Sequence, residues 1–309
     1  MTIKKNMPIL ATDANSAQKV LMQKADFLYK TGQPFKVVKS GGSYQLTSKV
    51  WNTAGRKSDS MFEPKDMNFI KSVKYYVEKN NIDLKFIDKI YSAKDVRYID
   101  VNPKFTKGEV ISDVVCIDII NAYWQTAYML EIISEDVYRK GLTFNKIVRL
   151  ASLGSLAKQT ITWEFDGKKM VNHKPKLNPH QNLWYSISKR VSDVMMEARK
   201  VVGKDFIFYW VDGMYIPNKP ELITKVNAVF LKYGYKSLME SIIKIEFNKM
   251  DFKVYPLDAP ADKDHKQFSW MVGSGEKDRG KNQPITKWIE DKRLLKIANQ
   301  IIYGKKKAK

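Results

Sequence analysis

The sequence predicts an α+β protein centred on a split βαβ unit: an antiparallel sheet with helices packed on one face. Three observations predict it. Residues 110–120, VISDVVCIDII, form a continuous apolar and β-branched run, as in a strand buried on both sides. Residues 180–200 carry Leu183, Ile187, Val191, Val194, Met195 and Ala198 in one helical stripe. Beyond them a hairpin pattern, a second helix pattern and another strand complete the order β–α–β–β–α–β.

In chain order, residues 17–30 read as a helix. FKVV and SYQLTSKVW within 31–60 read as short strands joined by a Gly-rich turn. KSGGS (39–43) lacks the Gly-Lys-Ser/Thr that a phosphate-cradling loop needs. Residues 67–80 place Phe69, Ile70, Val73, Tyr76 and Val77 on one helical face. After the 110–120 strand, 124–133 and 144–159 read as helices, forming a helical insertion over 124–159. Residues 160–173 read as a hairpin turning at Asp166-Gly167, and 205–217 as one turning at Asp212-Gly213. Residues 219–233 read as a helix with Pro220 in its first turn, and 241–247 and 252–256 as strands. GSGEKDRGKNQP (273–284) reads as a linker and 284–303 as a basic helix. Three domains follow: a basic N-terminal region over 1–109 for template or partner binding, the sheet domain over 110–256, and a small basic C-terminal segment over 257–309.

With 44% hydrophobic residues the chain has enough apolar material for a core, which excludes a disordered protein. The 54 Lys and Arg against 33 Asp and Glu give a net charge of +21, which points to a polyphosphate partner. Sixteen Tyr and seven Trp add stacking surface for bases. The single cysteine, Cys116, excludes an internal disulfide and sits where a core residue is expected. His173 and His180 fall in a basic, Pro-flanked stretch expected to be a loop meeting phosphate or solvent. No secretory leader and no run of 18 apolar residues is visible, so a cytoplasmic setting without a membrane partner is expected.

Two acids stand out. Asp118 closes the apolar strand, and Asp212 sits at the tip of the second hairpin. In a βαββαβ sheet these elements are neighbours, so both carboxylates are expected to reach one spot. There they would hold Mg²⁺ or Mn²⁺ through oxygen ligands. Glu164, Asp166, Asp113 and Asp251 are further candidate ligands. The same sheet occurs in modules that stack RNA bases on outward aromatics, for which Tyr209 and Tyr215 are the candidates.

Four segments in order carry a resemblance. They are Asp118-Ile-Ile-Asn-Ala-Tyr123, Lys146-Ile-Val-Arg-Leu-Ala-Ser-Leu-Gly154, Tyr209-Trp-Val-Asp212 and Lys253-Val-Tyr255. Together they resemble motifs A, B and C and the K-x-Y element of the family-B DNA polymerases, closest to the protein-primed phage type. The chain departs from that pattern in the motif B Asn and Tyr and in the first motif C Asp, which Trp210 replaces. The resemblance implies a polymerase palm with short fingers over 124–159 and a thumb-like C-terminus. It implies two-metal phosphoryl transfer, with Asp118 and Asp212 as the catalytic ligands of the two metal ions and Tyr123, Asn121, Lys146 and Arg149 on the incoming nucleotide. Lys253, Tyr255, Lys158 and Gly154 would contact nucleic acid. The implied function is a compact DNA polymerase or primase-polymerase without proofreading, of phage or mobile-element kind. Its partners would be template, primer and deoxynucleoside triphosphates, with a protein primer or replication partner. The alternative is an inactive palm-like nucleic-acid-binding protein of a replication complex.

Overall fold

A computed structural model describes residues 9–11, 14–40, 43–49, 52–57, 63–86, 90–105, 108–158, 160–176, 178–248, 251–258, 265–269, 288, 289, 291 and 292. The chain opens with β1 (Ile9–Ala11), α1 (Ala14–Lys30), β2 (Phe35–Ser40), β3 (Ser43–Ser48) and β4 (Asn52–Lys57). It continues through α2 (Pro64–Lys79), β5 (Ile99–Val101), β6 (Val110–Ile119), α3 (Ala122–Met129), α4 (Glu135–Leu142) and α5 (Lys146–Ala157). Next come β7 (Thr160–Asp166), β8 (Lys169–Lys176), α6 (Gln181–Val202), β9 (Phe208–Trp210), β10 (Gly213–Pro217) and α7 (Pro220–Lys232). The described strands end with β11 (Ser237–Phe247), β12 (Asp251–Pro256) and β13 (Lys266–Ser269). The linker expected at 273–284 lies outside the described residues, as does most of the helix expected at 284–303.

These elements form an α+β protein of two units, and the division corrects the three consecutive domains read from the sequence. One unit comprises Met1–Glu63, Lys158–Asn178 and Gly273–Lys309; the other comprises Pro64–Ala157 and Pro179–Val272. The 160–173 hairpin therefore leaves the sheet domain, and α2 joins it. The reason is pairing: β7 bonds to β2 across six register positions, from Phe35–Phe165 to Ser40–Thr160. Strand partners that distant cannot be assigned from local pattern.

The first unit is a six-stranded sheet in the order β1-β4-β3-β2-β7-β8, antiparallel except for the β1–β4 pair. Strict alternation in β2, β3 and β7 turns Phe35, Val37, Tyr44, Leu46, Trp163 and Phe165 to one face. Leu21, Ala25 and Leu28 of α1 pack there, with Trp288 and Ile289.

The second unit is a seven-stranded antiparallel sheet in the order β13-β12-β11-β6-β10-β9-β5. Its central β11-β6-β10-β9 is the order 4-1-3-2 of a βαββαβ unit, as the sequence predicts. Val115, Ile117 and Ile119 of β6 face the side where α6 and α7 pack, all three at 1% exposure or less. The other face carries a second core of Val114, Cys116, Phe208, Tyr215, Phe247 and Phe252. The Phe208 and Tyr215 rings stack 4.0 Å apart. A left-handed residue at Asp113 (φ 54°) and a bulge between Ile242 and Lys244 interrupt the two central strands.

Both faces overturn the base-stacking expectation: Tyr215 is buried in this second core, and Tyr209, paired with Met214, is buried on the helix-covered face. Cys116 is buried as expected, and burial pushes its thiol up to about 12. His180 departs from the loop expectation. It is buried at the N-terminus of α6, with Nδ1 against Asp83 and Nε2 3.5 Å from Glu78, and it meets protein carboxylates, not phosphate or solvent. His173 lies in β8 and stacks on Trp163.

One glycine in the helical insertion has a steric reason. A Cβ built on Gly141 of α4 would lie 2.2 Å from the Trp124 ring of α3, whose Nε1 donates to the Tyr138 carbonyl. Helix propensity favours Ala over Gly by about 1 kcal/mol, but overpacking against a rigid buried indole costs about 1–3 kcal/mol. Gly141→Ala is therefore expected to destabilise the protein, and urea unfolding checks the sign.

Candidate active site

Asp118 and Asp212 meet through backbone register. Gly213 pairs with Asp118 across β10 and β6, and the Ile119 N–H donates to the Asp212 carbonyl at 3.0 Å. The Asp118 carboxylate lies over Gly213: a Cβ there would be 3.3 Å from both Asp118 Oδ1 and Cys116 Sγ. Any larger residue at 213 presses on that carboxylate.

Trp210 pairs with Gly213, so the two-residue turn is Val211-Asp212, one position earlier than the sequence reading placed it. The other hairpin shifts too, with Asp166 pairing with Lys169 around Gly167-Lys168. In both turns the first central residue has positive φ, 58° at Gly167 and 58° at Val211. Glycine accepts this freely; a β-branched valine does not. The Val211 N–H donates to the Tyr98 carbonyl at 2.6 Å, which helps to hold the strained turn. Such strain costs about 1–3 kcal/mol and persists where the surroundings impose it. Val211→Gly is expected to raise stability by about 1 kcal/mol, after the entropic cost of glycine, in a denaturant melt.

Burial is the first cause of the shift in both acids. It pushes Asp212 from the usual 3.8 up to about 6, the neighbouring Asp118 charge adds to the rise, and Lys146 opposes it. Asp118 is raised by burial and by Glu240, with Lys146 and Lys266 pulling it back down. One lysine at the start of α5 thus acts on both carboxylates.

A small pocket adjoins this point, walled by Asp212, Asn121, Tyr123, Lys146, Arg149 and Leu150. Lys146 and Arg149 stand one turn apart on α5. Asn121 takes a left-handed conformation (φ 53°) where β6 turns into α3, and its Oδ1 accepts from Arg149 Nη2 at 2.8 Å. Arg149 also donates to the Phe144 carbonyl, so it ties the β6–α3 junction to the start of α5. Tyr123 is buried with its ring stacked on Trp184 of α6, 5.4 Å between centroids. Six sequence-predicted residues, Asp118, Asp212, Asn121, Tyr123, Lys146 and Arg149, are thus brought together.

Four others are not. Phe252 and Val254 belong to the second core with Cys116, so alternation turns Lys253 and Tyr255 to the face opposite Asp118. There Tyr255 donates to Glu246 at 2.8 Å, and Lys244 lies over its ring. Gly154 sits in α5 with open space at its Cβ position, and Lys158 lies past the end of that helix, remote from Lys146. Among the extra candidate ligands, Glu164 and Asp166 are in the sheet of the other unit. Asp113 accepts from Asn218, and Asp251 from Asn248 and Gln267.

Sequence reasoning missed Glu240 and Lys266. Glu240 pairs with Cys116 across β11 and β6, on the Asp118 face, and both its oxygens accept from Lys266 Nζ at 2.9 and 2.7 Å. The period-2 pattern of SIIKIEF, carried back through Leu238 and Met239, was the available signal. Both residues are exposed, which blurs it.

Among the described residues, no group of three or more His, Cys, Asp and Glu side chains is close enough to hold a metal ion. Asp118 and Asp212 are a pair of neighbouring carboxylates, coupled through their charges. No helix among them is long and apolar enough to cross a membrane. No protein-family model and no curated protein matches the chain. Fold and site define an α+β chain that sets two carboxylates beside a basic pocket at the end of a split βαβ sheet.

Proposed function

We propose that this protein is a template-directed nucleotidyltransferase, a compact DNA polymerase or primase-polymerase. The observation that carries the reading is the pairing of Gly213 with Asp118, which sets the Asp212 turn beside the end of β6, within reach of Lys146. Two half-buried carboxylates that repel each other are suited to a divalent cation, since an added positive charge relieves both burial and repulsion. Their hard oxygen donors fit Mg²⁺ or Mn²⁺, which when bound would stabilise charge developing on a phosphoryl group. Asp118 and Asp212 would hold the cation. Lys146 would face the triphosphate, while Asn121 and Arg149 brace the pocket wall. Tyr123, held flat by Trp184, would limit the space beside the sugar.

The test is incorporation of deoxynucleotides on a primed template with Mg²⁺ or Mn²⁺, comparing wild type with Asp118→Ala and Asp212→Ala. Incorporation lost in both variants supports the enzyme. No incorporation by wild type, with salt-sensitive DNA binding retained in both variants, overturns it in favour of a nucleic-acid-binding protein of a replication complex.

A further inference from the structure

The charge is divided unequally between the two units. The unit containing β1–β4, β7 and β8 has 26 Lys and Arg against 10 Asp and Glu, net +16 in 121 residues. The other unit, which holds the acidic pair, has 28 against 23, net +5. The more basic unit also has a sheet face with exposed described residues. Helix α1 covers one side, while Lys36, Gln45, Thr47 and Lys174 are exposed on strands β2, β3 and β8. Alternation turns the first three away from α1. Lys174 pairs with Thr162, which alternates with the buried Trp163, so it shares their face.

We propose that this open face is a docking surface for a nucleic-acid strand, gripped through its phosphates. Charge complementarity selects the occupant: a unit of net +16 draws a polyanion, and the short side chain of Thr162 on β7, the strand between those of Lys36 and Lys174, leaves room for a backbone to lie close. The named residues of this face include no aromatic ring to stack a base, so contact runs to phosphate and carries no sequence preference. Lys36 and Lys174 stand two strand spacings apart, roughly 10 Å, which lets them meet different phosphates. Glu164 lies on the same face, 3.8 Å from Lys36 Nζ and accepting from Asn172 at 2.9 Å. Its carboxylate opposes phosphate and moderates the grip. The proposal shares a nucleic-acid partner with the polymerase reading but needs no chemistry, so it stands even if no nucleotide is incorporated.

The experiment is fluorescence anisotropy of the full chain with a labelled oligothymidylate and a mixed-sequence strand, across a salt series. Wild type is expected to bind both equally. Each phosphate contact to a single strand contributes about 0.7 to the slope of log affinity against log salt. Lys36→Ala/Lys174→Ala is therefore expected to flatten that slope by about 1.4 and to weaken binding at least fivefold. Glu164→Gln should tighten it two- to threefold. Lys200→Ala/Lys225→Ala, exposed positions on the other unit, should leave the slope unchanged. Equal losses from both lysine pairs, no binding by wild type, or binding to anionic vesicles without binding to the oligonucleotides overturns the proposal.

Discussion

Asp118→Ala and Asp212→Ala are each expected to lower metal-dependent nucleotide incorporation on the order of 1,000-fold or more. A divalent cation at a phosphoryl centre supplies several kcal/mol of charge stabilisation, and each 1.4 kcal/mol is about tenfold in rate. On the proposed reading Asp118 and Asp212 would be the anionic ligands, so removing one halves them. Glu240 is committed to Lys266 through both oxygens. The effects of the two variants should not add, because on the proposed reading both acids would serve the same metal centre. Single-turnover extension of a primed strand measures the loss. Retained oligonucleotide binding in the same samples separates lost chemistry from lost folding. Near-wild-type incorporation by either variant would remove that acid from the site.

Asp212→Asn is expected to stabilise the folded protein at pH 8 by roughly 2–3 kcal/mol and to leave it unchanged near pH 3.5. The folded carboxyl titrates at about 6, against 3.8 unfolded, because burial and the Asp118 charge disfavour its ionised form. Between those values the folded chain keeps a proton that the unfolded chain has released. Stability is therefore full below about 3.8 and falls as pH rises through 6, at about 1.4 kcal/mol per unit. The raised Asp118 acts with the same sign. Asparagine cannot ionise, so the variant escapes this loss. Urea melts of both proteins at pH 3.5 and pH 8 measure it. A variant no more stable than wild type at pH 8 would mean that Asp212 is not strained by its surroundings. Mg²⁺ should offset the same penalty in wild type, by about 2.7 kcal/mol at 100 times its dissociation constant, and much less in Asp212→Asn.

Much of the fold was legible from local pattern. The apolar run of β6, the stripe of α6 and Pro220 at the start of α7 each record an environment that neighbours along the chain also feel. The βαββαβ order then has few ways to close, and each of them brings Asp118 and Asp212 to neighbouring strands. The hairpin tips were misread by one residue each, because Asp-Gly attracts a turn assignment while inter-strand register decides it. Val211, a residue that propensity keeps out of such a position, occupies the turn because β6 and β10 hold Asp118 against Gly213.

Sequence by itself determined the type of most central elements, the buried stripes of α2 and α6, the fate of Cys116 and the identity of the two acids, while α4, β1, β5 and β13 left no local pattern that was read. Periodicity and polarity are local, and they survive in one dimension. Only the tertiary structure decided that β7 and β8 leave the sheet domain for the first unit. It also decided that His180 is buried between carboxylates, that Tyr215 closes a second core, and that Lys253 and Tyr255 face away from Asp118. Each of these depends on which strand lies beside which. That choice is made by contacts between segments tens to hundreds of residues apart, and no window of the sequence contains both partners.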